Sequence, residues 1–415
     1  PAVDLGQAQS QRAVRRHPAG HRPLPAPGRA DVHRSVGDAR RRRHHARFGR
    51  GVPGPVLGGA HRPGSSVSDR ALAAPGPPGP PPAAKVFVTG GSGFVGRGVL
   101  GALVSEGREV VALARSPAAA AGLEALGASP VPGDVLDEAA LASGMAGCEV
   151  VYHVAGMNAF CLADPSPLFR VNVQGSLTVV RAAARAGVRR IVYTSSASTL
   201  GEAPGTVGRE DAIHRGVFMS AYERSKFQAE LAVLGAGPEH GVEVVSVNPS
   251  SVQGPGRTGG TARLLIDYLN GRLKFFVDTT LSLVDIADCS AGHVLAETRG
   301  VPGERYVLNG ACLSSGEALE LLSDVAGVRH RVATLPSGVA MAGAAAVEGV
   351  ARLLRKDPPV CREQARAIAH GHRYDGSKAS RDLGLVYTPV EETFRRTVEW
   401  YVEHGYVRIP GESGS

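Results

Sequence analysis

Residues 89–96 read Thr89-Gly90-Gly91-Ser92-Gly93-Phe94-Val95-Gly96. The apolar run Val86-Phe87-Val88 comes just before, and a helix-compatible segment follows over 94–107. Gly91, Gly93 and Gly96 satisfy G-x-G-x-x-G, and Gly90, Gly93 and Gly96 equally satisfy G-x-x-G-x-x-G. Either spacing meets the same physical need. A tight turn requires positive φ, backbone must approach an anion closely, and helix must pack near strand. The helix N-terminus then offers free N–H groups and a partial positive charge. Strand, glycine turn, helix and second strand in that order predict a pyrophosphate cradle at the head of an α/β sheet.

Outward from this turn the strand–helix rhythm persists. Strands are expected near 85–89, 109–114, 129–132, 149–154, 190–194 and 242–248. Helices are expected near 94–107, 118–127, 138–146, 166–187, 220–237 and 259–271. The strands are short unbroken apolar runs such as Val110-Val111-Ala112-Leu113 and Ile191-Val192-Tyr193, as expected where helices bury both faces of a parallel sheet. Beyond about 250 the rhythm loosens, with short strands near 274–277 and 304–308. Helices follow near 285–299, 314–326, 338–356, 360–370 and 389–404, the profile of a smaller, mostly helical lobe. The expected class is therefore a doubly wound α/β protein of Rossmann type. Its nucleotide domain spans 85–250 with later segments interleaved, a substrate lobe spans 251–405, and 406–415 is a tail.

Charge separates one more segment. Residues 1–84 hold fourteen Arg and four Asp but no Lys or Glu, a net of +10. The remaining residues sum to −2, so the basic balance belongs to this segment alone. Pro, Gly, Arg and His dominate it without periodicity, and disorder is expected there. The ordered part therefore carries no charge signature of nucleic-acid binding. Cys148, Cys161, Cys289, Cys312 and Cys361 are scattered without a CxxC pair, so neither a metal site nor a disulfide is expected. No apolar run reaches the roughly 18 residues of a membrane span, and a reducing cytoplasm is the expected home.

Chemistry-bearing residues fall at strand ends. The second strand ends at Ala114-Arg115-Ser116, where an acid would accept from a ribose 2′-OH. Arg115 would instead pair with a 2′-phosphate, which favours NADP(H), with NAD(H) the alternative. Asp134, before Val135, is placed to accept from an adenine amino group. Ala155 and Gly156 end the fourth strand with small side chains beside a cofactor. Tyr222-Glu223-Arg224-Ser225-Lys226 sets a phenol and an ammonium one helical turn apart, so the cation is expected to lower the phenol pKa. Thr194-Ser195-Ser196 ends the fifth strand, where a hydroxyl can polarise a substrate oxygen; Ser196 takes that role, with Ser195 the alternative.

These motifs, with NVQGS (172–176), NPSSVQGPG (248–256), VDIAD (284–288) and HRYDGSKASRDLG (372–384), resemble the extended short-chain dehydrogenase/reductases. These are also described as the NAD-dependent epimerase/dehydratase family. Within it the chain is similar to the dihydroflavonol 4-reductase-like branch, which includes the hopanoid-associated sugar epimerases. The resemblance implies Ser196, Tyr222 and Lys226 as catalytic residues. It places Gly90, Gly93, Phe94, Val95, Gly96, Arg115, Asp134, Ala155 and Lys226 against the cofactor. Asn248, Pro249 and Ser251 would flank the nicotinamide, and Asn172 would be a structural or relay residue. The implied activity is carbonyl–alcohol interconversion on a small hydrophobic or polyol substrate. Sugar-nucleotide epimerisation or dehydration, and non-catalytic NADP(H) sensing, are the alternatives. A homodimer through helices 166–187 and 220–237 is the implied assembly.

Overall fold

The computed structural model describes residues 84–356 and 358–408, so the expected disordered segment, Ala84 apart, lies outside the described residues. The first half alternates strand and helix: β1 (Lys85–Thr89), α1 (Phe94–Ser105), β2 (Glu109–Ala114), α2 (Pro117–Glu124), β3 (Ser129–Pro132), α3 (Glu138–Gly144), β4 (Val150–His153). It continues through α4 (Ser166–Phe169), α5 (Ser176–Arg185), β5 (Arg190–Thr194), α6 (Ala221–Glu239) and β6 (Glu243–Pro249). Then come β7 (Ser251–Gln253), α7 (Thr261–Leu269), β8 (Phe275–Val277), β9 (Thr280–Asp285), α8 (Ile286–Arg299), β10 (Arg305–Leu308) and β11 (Ala311–Ser314). The chain closes with α9 (Ser315–Ala326), β12 (Ala333–Leu335), α10 (Ser337–Leu353), α11 (Arg362–His370) and α12 (Val390–Glu403).

Seven strands form one sheet in the order β10-β6-β5-β4-β1-β2-β3, with every neighbouring pair parallel. The chain order reverses between β1 and β4, and ligands bind outside the carboxyl ends of strands at such a switch point. Alternation along β1 fills both faces. Val86 and Val88 join a core with α1 and α8, while Phe87 joins one with α3, α5 and α6. A third core, around Ile266, Leu322, Phe394 and Tyr401, belongs to the later segments.

Three expectations shift. The strand near 304–308 is not part of the smaller lobe: β10 extends the main sheet beside β6, and α8 packs on α1. The later segments also make a small sheet, β11-β9-β7, that periodicity did not reveal, because its strands are three to six residues long. The tail does not begin at 406, since Val407 is buried and Tyr406 stacks on Trp400 with centroids 5.4 Å apart. In addition, the single helix expected over 166–187 is interrupted by a π-helical turn at Arg170–Gly175, a feature often found at functional positions.

One buried carboxylate ties several of these elements together. Glu230 on α6 is 1% exposed and pairs with Arg305 on β10 at 3.1 Å. It also accepts from Thr199 and Ser246, each at 3.2 Å, and from the Asn248 amide. Removing one partner from such a buried network strands the others without an acceptor. Glu230→Ala is expected to lower the unfolding free energy by about 3–5 kcal/mol in a denaturant titration. A loss below about 1 kcal/mol would contradict this account of the network.

Candidate active site

The glycine turn sits at the switch point. Gly90 has φ +74°, and a Cβ there would lie 2.6 Å from the Ala155 nitrogen. A Cβ on Gly96 would meet the Gly90 carbonyl oxygen at 2.0 Å, so no side chain fits. Gly93 is the N-cap of α1, and no side chain caps that helix end. Phe94 and Val95 open the helix, half-buried, behind it. The uncapped helix start beside bare backbone suits a dinucleotide pyrophosphate.

Thr89 and His153 end β1 and β4 as paired neighbours. Thr89 Oγ1 lies 2.7 Å from His153 Nδ1, and His153 Nε2 lies 2.8 Å from Ser176 Oγ. Ser176 Oγ donates to the Asn172 carbonyl at 2.6 Å, so it accepts from Nε2–H, which leaves Nδ1 to accept from the threonine. Burial first, and the Lys226 charge second, push the His153 pKa down to about 3. The imidazole is a neutral strut. Asn172, in the π-helical turn, accepts from Met157 N–H at 2.7 Å and donates to Ser225 Oγ at 2.9 Å. It thereby fixes the loop after β4 against α6.

On α6, residues 222, 226 and 230 recur every fourth position and share one face. Lys226 is buried, and its ammonium donates to Tyr193 Oη at 3.0 Å and to the Thr194 carbonyl at 2.8 Å. Burial pushes its pKa down to about 8, against a smaller opposite pull from Glu230. Tyr222 faces Ser196, not Ser195. Burial raises the phenol pKa, and Ser196 and then Arg257 offset part of the rise. The expectation that Lys226 lowers this pKa is therefore corrected. The ammonium is held by the end of β5, and desolvation dominates at the phenol.

The other expected residues separate into two groups. Arg115 is exposed at the end of β2 and makes no ion pair among the described residues, while Ser116 beside it caps α2. Asp134 is half-buried and accepts from Leu136 N–H at 3.0 Å; Val135 is buried, Ala155 half-buried and Gly156 exposed. Asn248 and Ser251 have side chains engaged inside the protein. Asn248 donates to the Ser196 carbonyl at 3.3 Å and to Thr199 Oγ1 at 3.0 Å, beneath the Ser196 loop. Ser251 Oγ lies 2.9 Å from Thr261 Oγ1 of α7. Pro249 ends β6 opposite Leu308. Among the described residues the buried Oγ atoms of Ser195 and Ser250 have no hydrogen-bond partner.

Sequence reading missed four neighbours. Tyr193 was read as strand core, yet it anchors Lys226. Arg257 lies 5.8 Å from the Phe94 ring centre and donates to the Gly259 and Val252 carbonyls, bridging the glycine turn and the Tyr222 side. Phe160 packs on Tyr222 with ring centres 5.8 Å apart. Glu363, on α11, accepts from Cys161 N–H at 3.2 Å and from Ala221 N–H at the start of α6. Beside it Cys161 and Cys361 form a disulfide, with Cα atoms 5.6 Å apart, contrary to the expectation that no cysteines pair. The two lie 200 residues apart in sequence, so only the fold reveals the pairing.

The family model for the NAD dependent epimerase/dehydratase family matches residues 86–308, more than half of the chain. The chain belongs to that family. It is an NAD(P)-dependent enzyme of the oxidoreductase/epimerase kind. A Synechocystis protein carried under the name of a candidate dihydroflavonol 4-reductase is 33% identical over 331 residues, 78% of this chain and 96% of the relative. A Stigmatella aurantiaca protein, named 4-hydroxy-2-methyl-3-oxo-4-farnesyl-3,4-dihydroquinoline-1-oxide ketoreductase, is 34% identical across 72% of this chain and 91% of its own length. The solved structure of gox2253 superposes with a TM-score of 0.68 at 30% identity, covering 78% of this chain and all of that one. Among the described residues no helix is long and apolar enough to cross a membrane.

The depressed Lys226 pKa carries a pH signature. Below about 8 the ammonium is charged; above it the charge is lost. If that charge serves turnover, kcat/KM for carbonyl reduction is level at acidic pH and falls as pH rises through about 8. A profile that stays flat to about pH 10, where an unshifted lysine titrates, would remove Lys226 from that role.

Proposed function

We propose that the protein is an NADP(H)-dependent oxidoreductase that interconverts a carbonyl and a secondary alcohol on a hydrophobic or polyol substrate. One observation carries this reading: at the carboxyl edge of the sheet the Tyr222 phenol, kept protonated by its surroundings, meets the Ser196 hydroxyl. A protonated phenol is an acid, and reduction of a carbonyl requires one.

Gly90, Gly93 and Gly96 would hold the pyrophosphate, with Asp134, Val135 and Ala155 flanking the adenine side. Lys226 would reach the nicotinamide ribose from the end of β5. The bound cofactor supplies hydride at nicotinamide C4. Tyr222 then gives its proton to the alkoxide oxygen as it forms, and Ser196 donates a hydrogen bond to that oxygen. The phenolate left behind recovers a proton from solvent. The Ser196 hydroxyl and the Arg257 guanidinium favour the anionic phenol during the transfer. Phe160 on one side of Tyr222 supports an apolar substrate face, and so does the farnesylated ketone in the name of the Stigmatella relative.

One feature favours reduction over sugar-nucleotide epimerisation. Epimerases of the family often place a Tyr-Gly pair shortly after the catalytic serine. Here Ser198 follows instead, its Oγ 2.9 Å from Ser196 Oγ, and Thr199 points into the Glu230 network. Preference for the 2′-phosphate rests on Arg115, an exposed cation at the end of β2 that forms no ion pair among the described residues.

Tyr222→Phe is expected to abolish ketone-dependent oxidation of NADPH while nucleotide affinity, read by calorimetry, stays within about three-fold. Retained turnover would remove the assigned acid. Arg115→Asp is expected to move the kcat/KM preference toward NADH by about ten-fold or more, as loss of one charge-assisted phosphate contact implies. A wild-type enzyme that already prefers NADH would contradict the assignment.

A further inference from the structure

Outside the catalytic site, Glu202, His370 and His372 bring one carboxylate and two imidazoles together. Glu202 follows the 3-10 turn Ala197–Leu200 that begins at Ser196, and Gly201, with φ 58°, turns the chain toward it. His370 ends α11, and Gly371, with φ 68°, reverses the backbone so that His372 faces the same point. His372 Nδ1 lies 2.5 Å and His370 Nε2 3.3 Å from the same oxygen, Glu202 Oε1. The potential ligand atoms all lie within 4.8 Å of one another.

Hydrogen bonding alone accounts poorly for this arrangement. Glu202 is 2% exposed, and its second oxygen, Oε2, is buried without a hydrogen-bond partner among the described residues. Leaving a buried carboxylate oxygen bare is costly. Meanwhile both histidines crowd the first oxygen, with ring centres 4.7 Å apart. The neighbouring guanidinium, Arg215, spends its charge on Glu223 and gives Glu202 only a contact to its backbone carbonyl at 3.3 Å. Among the described residues Glu202 therefore has no fixed cation, only two titratable rings.

We infer that Glu202, His370 and His372 form a binding site for a divalent transition-metal ion of the zinc type. Two imidazole nitrogens and one carboxylate oxygen are a borderline donor set that such ions favour. Tetrahedral ligands about 2.0–2.2 Å from an ion stand roughly 3.3–3.6 Å apart, so the His372–Glu202 contact must open, and any wider pair close, by roughly an ångström. Tyr374 Oη, 2.9 Å from His372 Nδ1, stands where a fourth oxygen or an outer-sphere partner is needed. The ion would join the loop leaving Ser196 to the segment after α11, whose far end already carries the disulfide and Glu363. The expectation of no metal site rested on the cysteines, and none of these ligands is one. A carboxylate 168 residues before an H-x-H pair gives no local signal in the sequence.

The test uses the full chain, stripped with a chelator, exchanged into buffer and titrated with zinc chloride by calorimetry. One tight equivalent is expected, and Glu202→Gln and His372→Ala should each weaken it by about ten-fold or more. The six histidines of residues 1–84 are counted out directly, because any weaker class they form should persist unchanged in both variants. His404→Ala, outside the cluster, should keep the tight class. Zinc should also raise the Tm of the wild type by more than that of Glu202→Gln, a comparison each protein makes with itself and so independent of the variant's own stability. Equal zinc affinity in wild type and both variants, no tight equivalent in the wild type, or equal Tm shifts would overturn the site.

Discussion

A carboxylate out of reach of water governs the geometry of this enzyme. Glu230 stands on α6 two turns beyond Tyr222 and one beyond Lys226, facing the sheet. Its oxygens are claimed from β10 by Arg305, from β6 by Ser246 and Asn248, and from the Ser196 loop by Thr199. A charge buried this deeply is tolerated only with such partners around it. The same partners are the elements that must agree in position for a serine and a tyrosine to meet above them. Ser196 and Tyr222 thus stand at the edge of a polar network whose centre is buried Glu230.

Electrostatics around the pair run opposite to the simplest reading of a tyrosine–lysine motif. Spacing along a helix puts the two groups on one face, but it does not say where a four-carbon stem ends. Here the ammonium ends under β5, against Tyr193 Oη and the Thr194 carbonyl. The phenol is left in poorly solvating surroundings, with Arg257 and Ser196 as its polar company. Desolvation therefore lowers the lysine and raises the tyrosine, so each moves toward its neutral form. That combination suits a resting enzyme poised to give a proton away more than one poised to take it.

How much of this was legible depended on range. The glycine turn, the strand run and the Tyr222–Lys226 spacing are local patterns, and turn, sheet and helix stand within a residue or two of their expected bounds. The interrupted helix at Arg170–Gly175 was not legible, because a π-helical turn adds one residue without changing composition. Glu230 looked like an ordinary helix acid until Arg305, 75 residues on, was placed beside it. Glu363, Arg257 and the Cys161–Cys361 pair had no signal at all, since their partners come from segments the sequence cannot align. The placement of β10 failed for the same reason: four residues, Arg305–Leu308, look alike whether they extend a large sheet or a small one.

The position of Glu363 has a consequence for the order of events during synthesis. Every strand of the large sheet has left the ribosome once residue 308 emerges, and the nascent chain then holds all of its nucleotide-binding motifs. The start of the tyrosine-bearing helix, however, waits for a carboxylate 142 residues later, delivered by the segment that also brings Cys361. A nascent chain can thus hold its whole glycine-turn sheet while the start of the Tyr222 helix is still unanchored. In chain order, the anchor of this helix start is therefore made only after the whole large sheet has been synthesised.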